Sequence, residues 1–359
     1  MTASPTFRST LLSQRAADIQ PFHVMELLRR ARELEAQGRD IIHMEVGEPD
    51  FGTPAPVVEA ATRFLAGGDV HYTPALGLPA LREAIARFYH DRFGADVAPE
   101  RIVVTAGASG ALMLALAATT DPGDEWLLPD PGYPSNRHLI RAFEGVARAL
   151  AVDAASRYQP RPEQVDAAWG ERTRGLMVAT PSNPTGTLLS VAEIAALHRR
   201  TRARGGVLLV DEIYQGLTYG VESASALGDP VLNAADDVFV VNSFSKYFGM
   251  TGWRLGWLVA PAGFVRELEK LAQHFFISPS TPAQHAALAA FAPATIAILE
   301  ERRHEFAQRR DVLLPALRAL GFGIAAEPQG AFYVYADVSA LADDSEALAR
   351  RMIEEAGVA

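Results

Sequence analysis

Between about Gly47 and Pro282, short apolar runs alternate with helix-length stretches of 3.6-residue pattern. That alternation leaves one main architecture open. A run such as Val207–Val210 is apolar along its whole length, so it reads as a strand buried on both faces rather than a half-exposed one. Val265–His274 reads as one of the intervening helices. Strands separated by helices imply a mostly parallel sheet with right-handed crossovers. In such sheets ligands bind at the carboxyl ends of the strands, so the residues that follow each run are where chemistry is to be sought.

After the run Val238–Val241 come Ser243-Phe244-Ser245-Lys246, then Tyr247-Phe248-Gly249-Met250-Thr251-Gly252-Trp253-Arg254. A lysine at the edge of a core is costly, because its charged form loses hydration. A desolvated lysine is also a better amine nucleophile and can form an imine with a carbonyl cofactor. Ser243, Ser245 and Arg254 are donors suited to a phosphate. A strand end with a snorkelling lysine is the plainer alternative.

Asp211-Glu212-Ile213-Tyr214 follows the run Gly206–Val210. An ionised aspartate there could hold a pyridine nitrogen protonated, as pyridoxal phosphate requires to act as an electron sink. Tyr214 could donate to the phenolic oxygen of the same group. A polar strand terminator would look similar. Pro181-Ser182-Asn183-Pro184-Thr185-Gly186 follows Leu176–Ala179. Its prolines and glycine make a rigid turn, in which Asn183 could donate to an anionic oxygen or simply initiate the turn.

The order and spacing of Asn183, Asp211, Lys246 and Arg254 resemble those of class I/II aminotransferases, pyridoxal-phosphate enzymes with the aspartate-aminotransferase-like fold. The similarity runs from about Val46 to Tyr335. It implies that Lys246 binds the cofactor covalently and shuttles the proton. By the same resemblance Asp211 pairs with the pyridine nitrogen, and Asn183 and Tyr214 bind the phenolic oxygen. Ser243, Ser245 and Arg254 would hold the phosphate, joined by Ala108 and Ser109 in the small-residue turn Ala106–Gly110 after Arg101–Thr105. A helix start of that kind is an anion site through its free N–H groups and dipole. Tyr133, in Asp130-Pro131-Gly132-Tyr133-Pro134, matches the aromatic residue that stacks on the pyridine face, although a buried core tyrosine is an alternative. The family also implies cis peptide bonds at Asp130–Pro131 and Asn183–Pro184. Val46–Phe51 matches a loop that closes over substrate, with the Gly47 backbone near its carboxylate. Tyr72 matches a residue that reaches the cofactor phosphate of the partner subunit, and Ser278–Thr281 a loop crossing the interface of a homodimer.

The fold class expected is therefore α/β, with a large doubly wound, mostly parallel sheet domain and a smaller α+β domain formed by both chain ends. Residues 1–46 would be an arm and a helix, Pro21–Gln37, belonging to the small domain. Residues 47–285 would form the cofactor-binding domain. Residues 286–359 would complete the small domain with a helix at about Ala294–Leu320, a strand at Gly330–Tyr335 and a helix at Ser345–Ala356. The resemblance implies a further strand and a carboxylate-binding arginine after that helix, whereas the chain stops at Gly357-Val358-Ala359. Truncation of a longer protein is the expected reason, and a natural ending with altered substrate binding is the alternative.

Composition excludes other classes. A chain of 359 residues with 49% hydrophobic content can bury a large core. A net charge of −10 argues against nucleic-acid and anionic-membrane partners. No cysteine is present, which removes disulfides and thiolate chemistry, and the nine histidines show no metal-binding pair, so no metal is expected. The expected compartment is the cytoplasm. The expected activity is transfer of an amino group between an amino acid and a 2-oxo acid. A lyase on the same scaffold is the alternative. A cofactor-binding transcription regulator is more remote, since the 40 residues before Ile41 are too short for a DNA-binding domain.

Overall fold

The computed structural model describes residues 11–359. The first ten residues of the expected polar arm lie outside the described residues. The rest of that arm is exposed, with one short helix, Gln14–Asp18, capped by the Ser13 hydroxyl. Arg15 Nη1 donates to the Ala142 carbonyl (2.8 Å) and Arg141 Nε to Asp18 (2.8 Å), which lays the arm along the helix Pro134–Ala142.

Seven strands make one sheet: β1 (Ile102–Thr105), β2 (Glu125–Asp130), β3 (Val146–Ala151), β4 (Thr173–Ala179), β5 (Val207–Asp211), β6 (Val238–Ser243) and β7 (Gly256–Val259). Their order is β1-β7-β6-β5-β4-β2-β3. β7 runs antiparallel to both neighbours, and the other pairings are parallel. The carboxyl ends of β1, β2, β4, β5 and β6 therefore share one edge of the sheet, and each is followed by a segment singled out above.

Every residue of β5 and β6 is buried, because helices cover both faces. On one face Val103, Trp126, Met177, Leu209 and Val241 pack with Leu112 and Leu268 from the helices Gly107–Thr119 and Val265–Phe275. On the other, Val104, Leu127, Leu176, Leu208 and Val240 pack with Leu81, Ile85, Ile194 and Leu197. Each such buried side chain contributes about 1.5–3 kcal/mol of transfer free energy, so the sheet is a rigid platform for its loops. Gly107–Thr119 is small and apolar around its whole circumference, which suits a helix enclosed between sheet and neighbours.

The chain ends meet. Ala31 and Leu34, on the helix His23–Ala36, pack with Ile41 and Ile353. Ile42 N donates to Gly357 O (2.8 Å), and Ala359 N to Ile42 O (2.9 Å). The long helix spans Pro293–Ala319. The final helix is α-helical over Ser345–Arg351 and continues as a π-helical turn, Met352–Ala356.

The strand expected at Gly330–Tyr335 does not form. Loops take up its backbone instead: Gln329 N and Gly330 N both donate to Gly186 O (2.9 Å each), and Ala331 N donates to Leu217 O (2.9 Å). The Tyr219 hydroxyl donates to Ala331 O (2.5 Å), and Ala331 adopts a left-handed φ of 58° that interrupts any ladder. The Asp130–Pro131 and Asn183–Pro184 bonds are cis, as the resemblance implied, and Thr180–Pro181 is cis as well.

Candidate active site

Lys246 and Asp211 sit at the ends of adjacent strands. Lys246 follows β6 and Asp211 ends β5. The Lys246 amine donates to the Gly47 carbonyl (2.6 Å) and lies 5.9 Å and 5.7 Å from the ring centres of Tyr214 and Phe332. Burial lowers its pKa to about 8, opposed by Glu48 and assisted by Arg254, with Asp211 again opposing. Lys246 is one of two lysines in the sequence; the other, Lys270, lies on the helix Val265–Phe275 and pairs with Glu267 on the surface.

Asp211 is 6% exposed, and burial raises its pKa to about 6. The Ile213 N–H (3.0 Å) and the charge of Lys246 hold that rise in check. The next residue serves another purpose. Glu212 accepts from the Ser225 hydroxyl (2.7 Å) and the Ala226 N–H (2.6 Å), a wholly buried brace for the following loop. Adjacent carboxylates on a strand face opposite ways, so only one of the two can face the crevice.

Asn183 and Tyr214, both expected at a phenolic oxygen, converge on a third residue. Asn183 Nδ2 donates to the Tyr333 hydroxyl (3.3 Å), and the Tyr214 and Tyr333 hydroxyls are 2.6 Å apart. Burial raises the pKa of Tyr214 well above the phenol range and that of Tyr333 to about 12, so both are neutral donors at physiological pH. Sequence reasoning missed Tyr333, because Phe332-Tyr333 read as part of a strand. The only signal was an aromatic pair directly after Gly330-Ala331.

The phosphate-binding candidates also gather. Gly107 opens its helix at φ 71°, and a Cβ there would lie 2.7 Å from Arg254 Nη2. Across the same junction, a Cβ on Gly256 would meet Gly107 C at 2.6 Å and Ala108 N at 2.8 Å. These glycines let the arginine and the helix N-terminus approach each other. Ser109 is exposed at that N-terminus and Ala108 is buried. Ser243 and Ser245 are buried beside it, their hydroxyls 2.9 Å apart, with Ser243 Oγ also 3.1 Å from Leu255 O. Arg254 Nη1 donates to Thr251 O (3.0 Å), leaving the rest of its guanidinium outward.

Tyr133 lines a cavity with Asn136, Ser182 and Asn183, and its ring meets Phe22 edge-on at 6.2 Å. Tyr72 stands apart, 80% exposed. Among the described residues no acid or histidine cluster could hold a metal, and no single helix is long and apolar enough to cross a membrane.

A donor cradle at a helix N-terminus, a half-buried amine and a buried carboxylate along one sheet edge suit an anionic, electron-withdrawing carbonyl cofactor. Comparison with known proteins agrees. The model of the family "Aminotransferase class I and II" matches residues 39–359. The valine–pyruvate aminotransferase of Mycobacterium tuberculosis is 38% identical over 96% of this chain and 87% of its own length. The aspartate/prephenate aminotransferase of Thermus thermophilus is 38% identical over 97% of this chain and 89% of its own. Among solved structures, an aminotransferase from Mycobacterium tuberculosis superposes with a TM-score of 0.92 at 38% identity, covering 97% of this chain and 89% of that one. The Thermus thermophilus aspartate aminotransferase with maleate gives 0.90 at 37% identity, covering 97% and 90%. The family is generally pyridoxal-phosphate-dependent. Sequence motifs, fold and relatives thus converge: this chain belongs to the class I and II aminotransferases and moves an amino group between an amino acid and a 2-oxo acid.

Proposed function

We propose that this enzyme binds pyridoxal phosphate through Lys246, with Asp211 at the ring nitrogen and Asn183 and Tyr214 at the phenolic oxygen. Ala108, Ser109, Ser243, Ser245 and Arg254 take the phosphate, Tyr133 takes the ring face, and Gly47 offers its backbone to the substrate. The observation that carries this reading is a half-buried, weakly basic lysine placed near a buried carboxylate at the ends of adjacent strands.

When bound, the group supplies an electron sink for bonds at the substrate α-carbon. The protein contributes the rest. Asp211, whose burial disfavours its charge, gains most from a cationic partner, and a protonated ring nitrogen is such a partner. Lys246, part-neutral near pH 8, is suited to take a proton from the substrate α-carbon and return it. Arg254 and the helix N-terminus at Gly107 hold a dianion by charge and free N–H groups. The Ser243 hydroxyl is already shared with Ser245 and the Leu255 carbonyl, so its part is to aim Ser245 as much as to bind.

The reading extends to the architecture: residues 47–285 bind the cofactor, while residues 1–46 and 286–359 form a smaller unit. The contacts between Ile41 and Ile353, and between Ile42 and Gly357, support it. It also extends to a homodimer in which Tyr72 serves the partner's phosphate site, supported by the outward position of that residue.

The test uses the shortage of lysines. Protein loaded with pyridoxal phosphate should absorb in the visible, and borohydride should fix the label to the peptide bearing Lys246. Label on Lys270, or none, would overturn the assignment. A screen of amino donors against pyruvate and 2-oxoglutarate then identifies the substrate pair.

A further inference from the structure

One side chain outside the assigned machinery bonds to Tyr214 and Asn183 and lies against Gly47. The Tyr333 hydroxyl lies 2.6 Å from the Tyr214 hydroxyl and 3.3 Å from Asn183 Nδ2. A Cβ on Gly47 would overlap that hydroxyl, so the absence of a side chain at Gly47 is what admits it. The Gly47 carbonyl in turn accepts from Lys246. The Tyr333 ring meets Tyr214 edge-on at 5.5 Å and leans on Phe332 at 5.0 Å.

Its placement is fixed from behind. Gly186, in the turn that carries Asn183, holds Gln329 and Gly330, while Leu217 and Tyr219, just after Tyr214, hold Ala331. The aromatic pair is thus tied to the two segments whose side chains it touches.

The chemistry of the three groups sets a direction. A phenol has one proton and two lone pairs, and the Asn183 amide can only donate through Nδ2. Asn183 donating to Tyr333 leaves the Tyr333 proton for Tyr214. Tyr214 then accepts from Tyr333 and keeps its own proton for a further acceptor. In the reverse order Tyr214 donates to Tyr333 and has no proton to offer. An anionic oxygen at Tyr214 selects the first order, and donor chains of this kind strengthen one another.

Resting on the cofactor reading above, we propose that Tyr333 is a positioning residue that makes the Tyr214 hydroxyl and the Asn183 amide a single oriented donor set for the cofactor's phenolic oxygen. Donation to that oxygen would favour its anionic form and so lower the pH at which the bound cofactor's visible band titrates. Tyr333→Phe removes the hydroxyl and keeps the ring, so packing survives.

The experiment follows the visible absorption of loaded protein against pH, with cofactor affinity measured alongside, in the parent, Tyr333→Phe, Tyr214→Phe and the double variant. The parent band should titrate. In Tyr333→Phe the midpoint should move to higher pH and affinity fall by about 2- to 10-fold, the range one hydrogen bond supplies. The double variant should shift by less than the sum of the two single shifts, because Tyr333 acts in part through Tyr214. A midpoint and affinity unchanged in Tyr333→Phe, while Tyr214→Phe shifts both, would overturn the proposal and leave the cofactor reading intact. So would additive shifts in the double variant. No titrating band in the parent would overturn both. Thermal unfolding of Tyr333→Phe serves as the control, since a purely structural role would lower the melting temperature without moving the spectral midpoint.

Discussion

The two groups that define the site titrate toward each other, and their pH behaviour is testable. Imine formation needs the neutral amine, and Lys246 loses its proton near pH 8 rather than near the usual 10.5. The rate at which the cofactor-free protein captures pyridoxal phosphate should therefore rise with pH and level off above about 8. Stopped-flow loading from pH 6 to 10 measures this, and a rate still climbing at pH 10 would mean an ordinary surface amine. Asp211 is testable by removing its charge. Asp211→Asn should retain the cofactor but lose about 10²- to 10³-fold in amino-group transfer, comparable with losing one key electrostatic donor at a reacting centre. Near-normal turnover would remove Asp211 from its assigned place. The sequence made both residues legible because each comes within a few residues of the end of an apolar run, and burial then does the rest. Glu212 shows the limit of that signal. It follows the same run, and only the alternation of strand faces sends it to Ser225 and Ala226 instead of the crevice.

At the scale of elements, the junction between β7 and the helix Gly107–Thr119 shapes the proposed phosphate cradle. Gly256→Ala would place a methyl 2.6 Å from Gly107 C and 2.9 Å from Asn242 O, both backbone atoms that cannot swing away. The helix start should shift, costing about 1–3 kcal/mol in stability, the usual range for overpacking. Cofactor affinity should fall as well, because Arg254 and the helix N–H groups lose their common focus. Denaturant midpoints and a cofactor titration read the two effects separately, and an unchanged affinity would show that the cradle lies elsewhere. The buried strands and the helix Val265–Phe275 were legible because periodicity and burial agree there. Gly330–Tyr335 was not, for a physical reason. Its aromatic and β-branched side chains suit a strand, but a strand also needs a partner ladder, and sequence pattern carries no information on whether one is present. Here Gly186, Leu217 and Tyr219 take the backbone groups, and the aromatic pair is turned onto Tyr214. Tyr333 was missed by the same route, since its place depends on loops distant in sequence rather than on a local period.

For the whole molecule, the arrangement around Tyr72 favours a symmetric pair. Tyr72 is the most exposed large aromatic side chain among the described residues. Its loop is braced against the other expected interface segment: Thr281 Oγ1 donates to His71 O (2.6 Å), and Gln284 Nε2 to Thr73 Oγ1 (3.0 Å). Leu65, Val70 and Ile277 are also exposed, nearby in sequence to these loops. In an isologous dimer each subunit gives what it receives, so the protein should sediment as a dimer, and a mixing experiment can show whether the sites are shared. Lys246→Ala and Tyr72→Ala subunits, each weak as homodimers, are denatured together and refolded. If Tyr72 serves the partner, one site of each mixed dimer carries both defects and the other carries none. Random pairing makes half the dimers mixed, so activity should recover to about a quarter of the parental value. If Tyr72 served its own Lys246, each site of a mixed dimer would keep one defect and mixing would restore nothing.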